Sequence, residues 1–246
     1  MAGRSFAFEE GIMKSVKILA FLAVVSVVGS GFVSAQTRRQ ARLSDLDISR
    51  GLKEALSIGI KNAVNELGRE NGYLDNPDVR IPLPQGLRRT ESTLRFLGQG
   101  RKVDEFVAAM NHAAEKAVPV AVDIFVDSAK QMTFDDARSI LFSGKDDAAT
   151  QFFRRTSEDR LRENFRPIVE EFTEQVGVTQ KYKDMIGRYG FVGRVIGEDA
   201  SDIDGYVTEK AMDGLFLLIA EEERKIRRDP VGRTTAILRT VFGVLR

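Results

Sequence analysis

The sequence predicts an all-α fold: a single irregular bundle of about nine helices around one buried helix at about 204–228. Three observations predict it. From Asp47 onward apolar residues recur at helical spacing, with almost no sustained two-residue alternation. The run Leu215–Ala220 (LFLLIA) is apolar on every side, as a helix enclosed by others would be. Most of the Gly, Pro and Asn clusters fall between the periodic segments.

The first helix is expected over about 48–67, with Leu52, Leu56, Ile60, Ala63, Val64 and Leu67 on its inner face. Residues 68–84 read as a long irregular link, since Asn71-Gly72, Asn76-Pro77 and Ile81-Pro82-Leu83-Pro84 all break helices. Helices follow at 85–97 and 101–117, parted by Gly98-Gln99-Gly100. Pro119 is placed to begin the next, whose Val122, Phe125, Val126 and Ala129 share one side. Thr133, with Asp135 and Asp136 behind it, reads as a cap opening a short helix to Phe142, which Gly144 stops. Asp146 or Asp147 then caps a helix carrying Phe152 and Phe153, with a break allowed at Ser157. Pro167 kinks or splits the run 158–176. Thr179 caps a helix through Tyr189, and a glycine-rich link at 190–201 leads into the long helix from Asp204 to Arg228. Asp229-Pro230 ends that helix, and a last one closes the chain.

Ahead of this domain, assigned to 47–246, stands a segment of different character. From Met13, MKSVKILAFLAVVSVVGSGFVSAQ has a basic start (Lys14, Lys17), an apolar middle and a small-residue Val33-Ser34-Ala35 site, as a secretory signal peptide does. Its apolar stretch from Ile18 to Val33 is 16 residues long, short of the roughly 20 that a spanning helix needs. The expectation is translation from Met13, because Glu9 and Glu10 do not suit a positive leader, then cleavage after Ala35 and a polar lead-in at 36–46. The implied location is periplasmic or otherwise exported, with no stable membrane span after cleavage.

The whole chain carries 37 basic and 36 acidic residues. The leader takes three bases and two acids with it, so the remainder is neutral. Affinity for nucleic acid rests on an excess of Lys and Arg, so nucleic acid is not expected as a partner. With no cysteine there is no disulfide framework, thiolate nucleophile or Cys-type metal site, and packing alone must hold the fold.

The segments GLKEALSIGIKNAV (51–64), NPDVRIPLP (76–84), KQMTFDDARSIL (130–141), DDAATQFFR (146–154) and YVTEKAMDGLFLLIAEEERKIR (206–227) resemble an uncharacterised bacterial family of exported helical proteins, domain-of-unknown-function family 4197. The resemblance spans about 45–243. It implies an exported helical protein and brings no activity or catalytic residues.

Little chemistry stands out against that background. His112 is the only histidine, and without cysteines a zinc site lacks its usual donors; a half-buried, hydrogen-bonded ring is the simpler reading. A Ser-His-Asp triad would want a Gly-x-Ser-x-Gly elbow, which is absent. Asp199 to Gly205 fails as a calcium loop, with Ala200 and Ala211 where carboxylates belong, and reads better as an N-cap cluster. Gly187, Gly190, Gly193 and Gly197 lack the strand a nucleotide loop needs, leaving a helix cap or a mobile loop with Tyr189, Phe191 and Arg194.

Carboxylates at Asp123, Asp127, Asp135 and Asp136 form the one candidate ligand or metal cluster, Asp123 and Asp127 sharing a helix face. Helix caps and surface ion pairs explain most of it equally well. Asp213, beside the apolar run, would need a partner if buried, and Lys210 three residues earlier offers one. No catalytic set and no cofactor fingerprint emerge. The favoured reading is a non-enzymatic exported protein that holds an apolar small molecule between helices or docks an envelope protein. The alternative is a carboxylate-based hydrolase or divalent-metal enzyme.

Overall fold

The computed structural model describes residues 45–177 and 202–228. Among them every regular element is helical, and no strand is present. The helices are α1 (Asp45–Gly68), α2 (Gln85–Leu94), α3 (Gly100–Ala117), α4 (Ala121–Gln131), α5 (Phe134–Phe142), α6 (Ala148–Gln175) and α7 (Ile203–Arg228). A five-residue π-turn, Arg95–Gln99, joins α2 to α3, and a 3₁₀ turn, Val118–Val120, joins α3 to α4. The helices expected at 179–189 and after Pro230 lie outside the described residues, as do the leader and the loop with Tyr189, Phe191 and Arg194.

α7 is the hub: α1, α3 and α6 all pack on it. Its Leu215, Phe216, Leu218 and Ile219 are buried, whereas Leu217 is 38% exposed, so the apolar run is enclosed on all sides but one. Close approach depends on glycine in α7. A Cβ on Gly214 would lie 2.8 Å from the Tyr73 ring and 3.1 Å from Val79 Cβ, so only glycine lets the 68–84 link sit this tightly against the helix. On α1, all six residues of the expected inner face are buried. Edge-on contacts of Phe125 with Phe153 (5.4 Å) and Phe216 (5.9 Å) tie α4 to α6 and α7.

Neither the break allowed at Ser157 nor the split allowed at Pro167 occurs in α6. The helix runs unbroken through Ser157 and Pro167. Ser157 is buried, and its hydroxyl hydrogen-bonds that of Ser128 on α4 at 2.7 Å, so it is a contact between helices and not a break. Pro167 has no N–H for the Glu163 carbonyl, but Leu161, Phe165 and Val169 on both sides of it are fully buried and keep the helix seated. This continuity is one reason the described part has fewer helices than the sequence pattern suggests. The cap of α6 also differs. Asp147 stands at its N-cap without a side-chain cap bond, and a carboxylate from another helix, Glu223, takes that role.

The 68–84 link is irregular but tightly held. Asn71 takes a left-handed conformation (φ 60°), and a Cβ on Gly72 would strike the carbonyls of Glu66 and Leu67 at 2.5 Å. Two buried polar residues of α3 satisfy the link's backbone. Glu115 accepts from the N–H groups of Asn71, Tyr73 and Leu74 (3.2, 3.0 and 3.3 Å). Asn111 brackets Ile81, accepting from its N–H at 2.8 Å and donating to its carbonyl at 2.9 Å. The Tyr73 hydroxyl donates to the Ala211 carbonyl at 2.6 Å, closing the link onto α7.

Candidate functional site

Three openings in the described surface differ in chemistry. The largest, about 750 Å³, is an open groove along the link and α2 whose walls carry Asp75, Arg80, Arg88, Glu91 and Arg95. A second, about 280 Å³, lies where His112 and Lys116 of α3 face Arg69 and Phe172. The third, about 270 Å³, runs between α1 and α4. We take the third as the candidate site despite its size, because an apolar floor with a few polar groups at the mouth is the usual form of a small-molecule pocket.

Helical spacing builds that cleft directly. On α4, Val122, Val126 and Ala129 recur at i, i+4 and i+7, with Phe125 beside them, and so present one apolar face. On α1, Ile60 supplies the opposite wall, while Ser57, Glu54, Lys53 and Arg50 climb one edge to the mouth. The rim therefore holds three bases, Arg50, Lys53 and Lys130, against one acid, Glu54. The Lys53 ammonium donates to the Lys130 carbonyl at 3.3 Å across the mouth. It meets the carbonyl end of α4, where the helix dipole favours a cation. The floor is rigid, since Phe125 is fully buried and braced by Phe153 and Phe216.

None of the predicted carboxylates lines this cleft. Asp127 pairs with Lys130 (3.2 Å) and Arg160 (3.5 Å). The Lys130 ammonium, with Arg160 behind it, holds the Asp127 carboxyl below the usual carboxylate range. Asp123 and Asp135 are exposed. Asp136 completes a capping box with Thr133: it accepts from the Thr133 backbone N–H and hydroxyl, and Thr133 accepts from the Asp136 N–H. Those bonds lower the Asp136 pKa, the Thr133 hydroxyl contributing most. Among the described residues, no three or more His, Asp or Glu side chains are grouped to hold a metal ion.

Asp213 is exposed and paired with Lys210 at 3.1 Å, as the spacing suggests, and with Arg154 at 3.6 Å. Arg154 in turn lies 4.3 Å from the centre of the Phe216 ring. Asp202 accepts from the Gly205 N–H at 2.8 Å and so serves as a cap for α7. His112 is half-buried, its Nδ1 2.8 Å from Glu115 Oε2.

Sequence reasoning missed the polar residues that organise the interior: Asn111, Glu115, Glu222 and Glu223. One signal was present. Val107, Asn111 and Glu115 stand four apart on α3, so the two polar residues continue an apolar face, where a polar side chain needs a buried partner.

One family, described as protein of unknown function (DUF4197), matches residues 42–243. The chain belongs to the DUF4197 family. No curated protein and no solved structure matches it. The DUF4197 match takes in every described residue, including both walls of the cleft. Among the described residues of this DUF4197 protein, no helix is long and apolar enough to cross a membrane.

Proposed function

We propose that this DUF4197 protein is a non-enzymatic binding protein of the cell envelope that holds an amphiphile, apolar tail in the α1–α4 cleft and anionic head at its mouth. The observation that carries this reading is the pairing of an apolar floor with the three bases Arg50, Lys53 and Lys130 at the rim. A volume of about 270 Å³ has room for about nine groups the size of a water or methylene. That suits a single medium-length acyl chain better than a folded polymer segment. The envelope location follows from the signal-peptide pattern at Met13–Ala35. Asp127 holds Lys130 at the rim, and the Lys130 carbonyl holds Lys53.

The test is a thermal-shift series with decanoate, decyl phosphate and, as the opposite charge, decyltrimethylammonium. The anionic amphiphiles should stabilise the protein saturably, by about 2.7 kcal/mol at a hundred times Kd, and the cation should not. If neither anion shifts the transition, the reading fails. If divalent metals stabilise the protein instead, the carboxylate enzyme around Asp123, Asp127, Asp135 and Asp136 takes its place.

A further inference from the structure

The hairpin of α2 and α3 ends in a tip with no structural reason for its composition. Leu94 is buried and anchors it, yet two residues on Phe96 is 88% exposed and Leu97 is 43% exposed. Nothing in the π-turn Arg95–Gln99 is buried. Gly98 reverses the chain in the left-handed region (φ 75°), with open space where its Cβ would be. α3 then begins with Arg101 and Lys102, both exposed, in the first turn, where the helix dipole favours acids. Arg101, 89% exposed, is met only by Glu105 at 3.6 Å, and Lys102 makes no ion pair with any described acid. Behind the tip runs the open groove of about 750 Å³, whose Arg80 and Arg88 make no ion pair with any described acid, while Arg95 is held by Glu91 (2.9 Å) and Asp104 (2.7 Å).

We infer that this tip docks on an anionic lipid bilayer, Phe96 and Leu97 entering the interface while Arg101, Lys102, Arg80 and Arg88 meet phosphate headgroups. The area decides between occupants. Phe96 and Leu97 offer roughly 300 Å² between them, whereas a stable protein interface needs about 800 Å² from each partner. A bilayer interface requires only shallow burial of an apolar tip, joined to basic charge as the second signal that stable anchoring needs. The site is separate from the α1–α4 cleft and does not rest on its occupancy.

The experiment is co-sedimentation of the purified protein with vesicles of equal parts phosphatidylglycerol and phosphatidylcholine, against pure phosphatidylcholine. The protein should bind the anionic vesicles preferentially, and less at high salt. Phe96→Ser with Leu97→Ser should reduce binding at least about tenfold, and Arg101→Gln with Lys102→Gln by about fivefold for each base. All four substitutions are at exposed sites, and unchanged helical circular dichroism confirms the fold. Val126→Trp, which fills the cleft, should bind vesicles as the parent does, separating this inference from the proposed function. Absence of vesicle binding, or equal binding by the Phe96→Ser, Leu97→Ser variant, overturns the inference. So does a concentration-dependent dimer that this variant dissolves, since a second copy would then be what covers the tip.

Discussion

Glu223 of α7 accepts both the backbone N–H and the hydroxyl of Thr150 on one carboxylate oxygen, each at 2.9 Å, and the Ala149 N–H on the other. A side chain from the central helix thus closes the first turn of α6, where N–H groups have no partner within their own helix. The carboxylate is itself balanced by Arg227 at 2.8 Å, which also donates to the Ile140 carbonyl at the end of α5. Three helix ends or faces meet on a buried carboxylate and its half-buried partner. Glu223→Ala should therefore cost about 2–4 kcal/mol, because it leaves two N–H groups unpaired and takes the counter-charge from Arg227. Urea unfolding measures this, and a loss below about 1 kcal/mol would show that water replaces the carboxylate at no great cost.

Glu115 does for the 68–84 link what Glu223 does for α6. Its Oε1 accepts from the Tyr73 and Leu74 N–H groups, and its Oε2 from Asn71, with His112 Nδ1 at 2.8 Å. Glu115→Gln removes one acceptor and puts an NH₂ against a donor N–H whichever way the amide turns. The expected loss is about 1–3 kcal/mol. It should come with faster amide exchange at residues 71–74 and little change in α6. Uniformly faster exchange across the protein would count against a local clamp.

These residues mark where sequence reading succeeds and where it stops. The inner face of α1, the glycine break near Gly98 and the Thr133 cap were legible because each is a local pattern with a local cause. Asn111, Glu115 and Glu223 were not, because periodicity records that a position faces inward and is silent on which backbone group lies opposite. At Pro167 the sequence left a kink or a split open, and the split does not occur: a local cost of about 3 kcal/mol is outweighed by the burial of Leu161, Phe165 and Val169, whose extent depends on the helices packed against them. The cleft was half legible. Val122, Phe125, Val126 and Ala129 were recognised as one face of α4, but the gap opposite Ile60 and the rim of Arg50 and Lys53 arise only when α1 is laid against it.

The Thr133–Asp136 capping box predicts a pH dependence. Its hydrogen bonds hold the Asp136 carboxyl below its ordinary value of 3.8, so in mild acid the unfolded chain takes up this proton before the folded one does. Stability from this group is complete above about pH 4 and is lost as the pH falls through the lowered folded value. Asp136→Asn should flatten the acid limb of a stability–pH curve while weakening the cap at neutral pH. An unchanged slope below about pH 4 would mean that other carboxylates, Asp104 beside Arg95 among them, dominate acid unfolding.

Lys53 separates what the cleft does for the fold from what it does for a ligand. For the fold, its ammonium makes one exposed bond to the Lys130 carbonyl at 3.3 Å, so Lys53→Glu should change unfolding free energy by about 1 kcal/mol or less. For an anionic head at the mouth the same substitution reverses a charge, worth about 1 kcal/mol of lost attraction and as much again of repulsion at 4 Å in water. Affinity for decanoate, measured calorimetrically at low salt, should fall roughly thirtyfold, and the difference should shrink as salt screens the rim. Decyltrimethylammonium should move the opposite way and gain in affinity. Equal decanoate affinity in parent and variant would place the head elsewhere and remove the rim of Arg50, Lys53 and Lys130 from the site.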